Sequence, residues 1–301
     1  MKKIKNYPIE LSPLYRLRNE RKLALLLQVK TKTLHKLRSD SFYIVYTKQG
    51  TKQREIQEPK KQLKQVHKKI KKLLQRIETP SLLISGKKGN SFVTNAQQHL
   101  ASRYFLITDI EGFYKNSRRE FVFKFFKFQM KMSEDIAWLM TDLVTYKDFI
   151  PTGSPTSQII AYFAYAPTFQ RINEIANQHD CKLSVYVDDL TISSKKPIPT
   201  RMPHWINNEF KKVFHQIKKR KTRFFYPFQH KIITGCCISP KGALRVPNRI
   251  RLRIKQEDKN HISGKSIKPN RLLGMMLSAR QIEPNIYKYK FFHLKKEVFQ
   301  K

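Results

Sequence analysis

The sequence predicts an α+β fold, and three observations carry that reading. Leu63, Val66, Ile70, Leu73, Leu74 and Ile77 recur at helical spacing, which places one apolar stripe on a single helix. Tyr104–Asp109 is an apolar run of strand length that ends in an acid. Leu183–Ser193 reads as two short β-branched strands joined at the paired acids Asp188 and Asp189. With 301 residues the chain can build about two domain-sized cores. Its 20 Phe and 13 Tyr supply them, which excludes wholesale disorder.

Taken in order, Leu11 to Lys30 sets apolar residues 14, 17, 23, 26 and 27 among Arg and Lys and predicts a first helix, with Thr33–Leu37 extending or following it. Phe42–Thr47 alternates toward a strand, Gly50–Gln53 is a turn, and Arg54–Pro59 is a second strand. Pro59 sits where it could open the lysine-rich helix that runs to Ile77. Arg118–Lys131 is an aromatic-rich helix, and Ser133 with two following acids starts the next one. Gln158–Ala176 and the basic, amphipathic Asn207–Lys219 are two more helices, with Lys195–Thr200 a surface loop. Neither a solenoid repeat nor a low-complexity linker is present.

The charge needs a partner. Sixty-one Lys and Arg stand against 22 Asp and Glu, a formal +39. The segment 195–301 alone carries 27 basic and 5 acidic residues. A phosphate backbone neutralises such a surface through counterion release; the plainer reading is a solvated basic face. Three cysteines, Cys181, Cys236 and Cys237, with no Cys-x-x-Cys pair, suggest a reducing cytoplasm and argue against structural zinc. The basic N-terminus lacks an apolar h-region, and the longest uncharged run, Phe149–Gln170, is too polar in its first half for lipid, so no membrane association is expected.

Two adjacent carboxylates on a tight turn repel each other unless a cation intervenes. An acidic hairpin turn explains Asp188 and Asp189 equally well on their own. Asp109, at the end of another strand, changes that balance: strand ends from separate segments can converge, and three carboxylates can hold two hard cations for in-line phosphoryl transfer. Between these acids lies Ile150–Ser157, in which Gly153 stands between Pro151 and Pro155 and suits close backbone approach.

Asp109-Ile-Glu-Gly-Phe-Tyr114, Pro151-Thr-Gly153-Ser-Pro-Thr-Ser157 and Tyr186-Val-Asp188-Asp189 resemble motifs A, B and C of reverse transcriptases. Asn95-Ala-Gln-Gln-His99 and Ile233-Thr-Gly235 are similar to the Asn-Ala-x-x-His and Val-Thr-Gly signatures of bacterial retron reverse transcriptases, and the likeness runs from about Phe42 to near the C-terminus. The resemblance implies a right-hand polymerase fold: an N-terminal helical extension over 1–40, fingers and palm over 41–235, and a basic helical thumb over 236–301. It further implies Mg²⁺ on Asp109, Asp188 and Asp189, and Lys221 as the proton donor to pyrophosphate. Arg54 would clamp the triphosphate, the backbone amides of Glu111 and Gly112 would face it, Gly153 would approach the nucleotide, and Tyr114 would be the steric gate against a ribose 2′-OH. Asn95, His99, Thr234, Gly235, Arg245, Arg249 and Arg251 would meet RNA.

The implied activity is RNA-directed DNA synthesis from dNTPs on a cognate noncoding RNA. Priming from a guanosine 2′-OH would give branched msDNA, and the system would serve antiphage defence with an effector protein. Thr152 replaces the usual Gln of motif B, Val187 stands where Ala is common, and Gly112 where a carboxylate is frequent. The alternatives are another bacterial reverse transcriptase, of group II intron or diversity-generating type, and a non-catalytic basic RNA-binding scaffold with a polymerase fold.

Overall fold

The computed structural model describes residues 6–49, 53–87, 89–263 and 269–299. Met1–Lys5 of the basic N-terminus, residues 50–52 of the expected turn, and residues 264–268 of the expected basic thumb lie outside the described residues.

The helix expected over 11–30 is shorter. After one 3-10 turn at Ile9–Leu11, helix α1 spans only Glu20–Leu27. Pro13 interrupts what precedes it, the Asn19 side chain accepts from the Lys22 amide as a cap, and Gln28, left-handed at φ 53°, ends it. Helix α2 is Thr31–Leu37. Leu14, Leu23, Leu27, Leu34 and Leu37 are buried in the main core, so residues 6–40 pack as part of it rather than as an appendage.

Strands β1 (Tyr43–Lys48) and β2 (Arg54–Pro59) form an antiparallel hairpin with Tyr43 opposite Pro59 and Lys48 opposite Arg54. Pro59 is therefore a strand residue. Lys60 is the N-cap of helix α3 (Lys61–Leu74), whose Leu63, Val66, Ile70 and Leu74 are buried as their spacing predicts. Helix α4 (Phe92–Gln97) opens with a capping box between Ser91 and Thr94.

The palm is one four-stranded sheet in the order β4-β5-β3-β6, with β3 Tyr104–Asp109, β4 Lys182–Tyr186, β5 Asp189–Ser194 and β6 Arg223–Phe225, every pair antiparallel. Helices α5 (Phe113–Asn116), α6 (Arg119–Lys124), α7 (Glu134–Val144), α8 (Ser157–Gln178) and α9 (Met202–Lys211) accompany it. The aromatic helix expected over 118–131 is α6 followed by a π turn at Phe125–Gln129. That widened turn seats Phe125 and Phe126, both fully buried. The basic helix expected over 207–219 instead begins at Met202, with Pro203 in its first turn, and stops at Lys211; Phe214, at φ 61°, turns the chain away.

Strands β7 (Lys231–Ile233), β8 (Cys236–Ile238) and β9 (Leu244–Arg245) make a small sheet, and helices α10 (Asn248–Ile262), α11 (Pro269–Ile282) and α12 (Lys288–Phe299) follow. A boundary between 235 and 236 falls inside the β7–β8 hairpin, where Ile233 faces Cys236. Ile233, Cys236, Leu272, Met276 and Leu294 share a second core with Val93, Ala96 and Phe105, so the C-terminal helices are anchored on α4 and β3. All three cysteine thiols are free and buried. Among the described residues no helix is long and apolar enough to cross a membrane.

Candidate active site

Antiparallel register brings the acids together. Asp109 at the end of β3 lies opposite Asp189 at the start of β5, and a two-residue turn, Val187 and Asp188, links β4 to β5. Oxygen atoms of Asp109, Asp188 and Asp189 all lie within 4.8 Å of one another. Burial and then the charge of Asp109 raise the Asp188 pKa, and burial with the charges of Asp188 and Asp109 pushes Asp189 up to about 6. One buried carboxylate, Asp109, and two half-buried ones, Asp188 and Asp189, in mutual repulsion form an all-oxygen donor set suited to a hard divalent cation.

Lys221 partly neutralises them. Its ammonium donates to Asp109 Oδ2. Burial alone would lower the Lys221 pKa, but the bond to Asp109 and the surrounding negative charge prevail and raise it. Arg54, exposed at the head of β2, is close enough for its charge to favour ionised Asp188. The Tyr114 hydroxyl is raised well above its usual range by burial and then by Asp188, which places the ring beside the acids.

The turn carrying Asp188 is strained. Val187 has φ 60°, a left-handed conformation unfavourable for a β-branched side chain. A segment without any strand signature holds it: Ile84 N donates to Val185 O (3.1 Å), Val185 N to Leu82 O (2.8 Å), and Val187 N to the buried Ser85 hydroxyl (2.9 Å). Sequence reasoning missed Ser85, whose only signal is its place just before Gly86. Ser85→Ala should lower kcat about tenfold at little change in KM, with a stability loss of about 1 kcal/mol, read by primer extension and thermal melting.

Gly153 answers to the fingers. A Cβ there would meet the Gln57 carbonyl oxygen at 2.7 Å and Ile56 Cγ2 at 2.9 Å. Gly153 N donates to that same Gln57 carbonyl, 3.1 Å away. Thr152, which departs from the pattern of the resemblance, shares its one hydroxyl proton between Glu55 O (3.2 Å) and Gln57 Oε1 (3.1 Å). The Ser154 hydroxyl meets His67 Nδ1 at 2.7 Å, and burial lowers the pKa of that histidine to about 4, so it is neutral. The Pro151–Ser157 turn is thus bonded to β2 and α3, and it fixes the β1–β2 hairpin against itself.

Several expected contacts are corrected. The Glu111 amide does not face an open cleft: it donates to Gln216 O at 2.9 Å, and the Glu111 carboxylate accepts from Gln216 Nε2 at 2.8 Å. Gly112, at φ 57°, is exposed. Asn95 and His99 are buried at 1% and 0% exposure and cannot meet RNA in this conformation. Asn95 Nδ2 donates to Thr234 Oγ1 (3.2 Å), and Thr234 donates to Phe92 O (3.1 Å). His99 bridges Ser193 Oγ on β5 (2.7 Å) and Ser184 Oγ on β4 (2.8 Å), bracing the hairpin that carries Asp188.

Thr234, at φ 44°, and Gly235, at φ 97°, shape the β7–β8 turn around this contact with α4. Arg245 on β9 and Arg251 on α10 both pair with Glu283, just past the end of α11, so each already has a protein partner. Arg249 is exposed and remains available. His99→Ala should destabilise the protein by about 2–4 kcal/mol in thermal or urea unfolding, because it opens a cavity, orphans the buried Ser184 hydroxyl and leaves Ser193 with Ser102 alone. Weakened RNA binding at unchanged stability would contradict this bracing role.

Comparison with known proteins agrees with the geometry. Relatives include the Retron Se72 reverse transcriptase of Salmonella heidelberg (strain 579083-10), 29% identical over 58% of this chain and 48% of that protein. The Retron Ec86 reverse transcriptase of Escherichia coli is 26% identical over 67% and 64%, and the Retron Ec48 reverse transcriptase of the same species 28% over 45% and 34%. The chain therefore spans less than two thirds of the length of each of these relatives, and the retron resemblance of its motifs is borne out by them. An apo telomerase from Candida tropicalis, truncated from its C-terminal domain, superposes with a TM-score of 0.53 at 11% identity, covering 69% of this chain and 56% of that one, which supports the right-hand fold alone. The family described as Reverse transcriptase (RNA-dependent DNA polymerase) matches residues 46–276, about three quarters of the sequence. With three acids converging on the palm as that family's motifs require, the chain belongs to the reverse transcriptase family.

Proposed function

We propose that this protein is a retron-type RNA-directed DNA polymerase that copies a cognate noncoding RNA into msDNA from dNTPs. The convergence of Asp109, Asp188 and Asp189 beside Lys221 and Tyr114 is the observation that carries the reading. The three carboxylates would hold divalent cations, Mg²⁺ by their hard oxygen donors, and these supply activation of the attacking hydroxyl and charge stabilisation at the phosphate.

The chain's own residues do the rest. Lys221, which now donates to Asp109, becomes free to give its proton to the leaving pyrophosphate. Arg54 pairs its planar fork with phosphate oxygens, while Gly112 leaves room for the triphosphate. The Tyr114 ring lies under the sugar and excludes the 2′-OH. Gly153 and Thr152 act on the nucleotide through the fingers hairpin to which they are bonded. Arg249 and the other exposed thumb cations grip the RNA by its phosphates.

Priming from a guanosine 2′-OH, a cytoplasmic location, and service in antiphage defence with an effector protein complete the proposal; kinship with the retron reverse transcriptases supports them. Sequencing the nucleic acid that copurifies with the protein tests it. Recovery of 2′,5′-branched DNA attached to a structured RNA is expected, and unbranched product from any primed template would reassign the chain to another reverse transcriptase class.

The acids also predict a pH dependence. Asp189 takes up a proton as pH falls through about 6, and protons compete with metal for the same oxygens. Mn²⁺ affinity, measured by calorimetry, should be steady above pH 7 and fall progressively below about 6; a flat profile from pH 5 to 8 would contradict the assignment.

A further inference from the structure

Beyond the catalytic cleft, the structure carries an aromatic platform at the exposed edge of the palm sheet. β6 is one of the sheet's two edge strands, opposite β4. It begins at Arg223, two residues after Lys221 at the acids, and runs through Phe225 to a turn at residues 226–229. On that turn Tyr226 and Phe228 are 48% and 75% exposed, with their rings 6.2 Å apart between centroids and 10° from parallel.

The turn is built rather than loose. Tyr226 N donates to Gln229 Oε1 (2.9 Å), and Gln229 N donates back to Tyr226 O (3.1 Å). Beneath it Lys231, only 2% exposed, donates from its ammonium to Pro227 O at 2.9 Å. The edge of Tyr104 meets Tyr226 at 6.5 Å and 84°, which fixes the ring from the side. Gln229, His230, Arg223 and Phe228 line an open cleft of about 520 Å³ alongside.

Two preorganised rings left in solvent need an occupant with a flat apolar face. The surrounding charge specifies the remainder of it. No Asp or Glu occurs between Phe210 and Gln256, while Lys218, Lys219, Arg220, Lys221 and Arg223 precede the turn. A nucleobase supplies the flat face and its phosphates the negative charge, a combination that stacking platforms flanked by cations recognise in single strands. We infer that Tyr226 and Phe228 form a stacking site for single-stranded RNA, outside the catalytic cleft and flanked by Arg223 and His230. A duplex keeps its bases stacked on one another and offers no face to these rings. The site adds to the polymerase reading without depending on it.

The test uses the whole protein and a fluorescein-labelled oligoadenylate of about 12 nucleotides, with an RNA duplex of the same length as control. Tyr226→Ala with Phe228→Ala should weaken oligoadenylate binding about tenfold or more and leave duplex binding unchanged. Tyr226→Phe with Phe228→Tyr, which preserves both rings, should bind as the parent does. In the parent, a 2-aminopurine placed within the strand should be quenched on binding, and the double alanine variant should lose that quenching. Equal affinity of parent and double alanine variant, or a parallel loss for single strand and duplex, would overturn the inference. So would competition by oligoglutamate as effective as that by unlabelled oligoadenylate, since an acidic protein segment would then be the better occupant. Asp188→Asn with Asp189→Asn should retain the whole binding pattern, so failure of the platform and failure of the polymerase reading give different results.

Discussion

Asp188→Asn combined with Asp189→Asn should reduce dNTP incorporation about 10³-fold or more and at the same time raise the melting temperature of the metal-free protein. Both effects have one origin. The acids are held close together and half-buried, so their folded-state pKa values lie above the ordinary carboxylate range, with Asp189 at about 6. A raised carboxyl pKa means that the folded state binds the proton more tightly than the unfolded state. The stability this confers is present below the unfolded value of 3.8 and is lost as pH rises through about 6. At neutral pH the ionised acids are thus a standing penalty, on the order of 1–2 kcal/mol after solvent screening. Amides remove it, which corresponds to about 2–3 °C in Tm at pH 7.5 in EDTA. The difference should shrink at pH 5, where the parent protonates. Primer extension and differential scanning calorimetry together check the pair, and a variant that lost activity and stability together would mean that the acids support the fold instead.

Gly153→Ala should destabilise the protein by about 1–3 kcal/mol and lower kcat/KM for dNTP incorporation by about 10²-fold. The single added methyl would fall 2.7 Å from the Gln57 carbonyl oxygen, which is backbone and cannot rotate away. The hairpin of β1 and β2 must then move off the motif B turn, breaking the bond from Gly153 N to Gln57 O and those of Thr152 to Glu55 and Gln57. Arg54 moves with the hairpin, so the clamp proposed for the triphosphate is displaced from the acids. Melting separates this account from direct nucleotide contact: an unchanged Tm with impaired kinetics would mean that the glycine serves the ligand and not β2.

Much of this molecule was legible in the chain. Helix α3 was clear because its periodicity is set by a core on one side and water on the other, and strand β3 because it is a short run apolar on both faces, with Leu106 in one core and Phe105 in the other. The acids were clear because carboxylates are scarce in so basic a protein, and adjacent ones need a reason. The expectation over 11–30 overran because Pro13 and Asn19 act as local stops that an apolar pattern passes over. The helix expected over 207–219 was displaced because Lys and Arg mark a surface without marking where a helix ends.

What tertiary structure alone decided is the role of polar residues whose partners lie far off in sequence. Asn95 and His99 look the same on paper whether they face RNA or brace a core. Burial against Thr234, 139 residues away, and against Ser184 and Ser193 makes them structural, since a polar group removed from water must find its hydrogen bonds inside. Ser85 became visible only where its hydroxyl meets Val187, and Arg245 and Arg251 lost their independence only at Glu283. The sequence by itself determined the palm strands, the family and the three acids, because these rest on local pattern and on charge that no fold can hide. The register that sets Asp109 opposite Asp189, and the pairing that turns two signature motifs into one buried contact, needed the folded chain, because hydrogen-bond satisfaction is a property of neighbours in space.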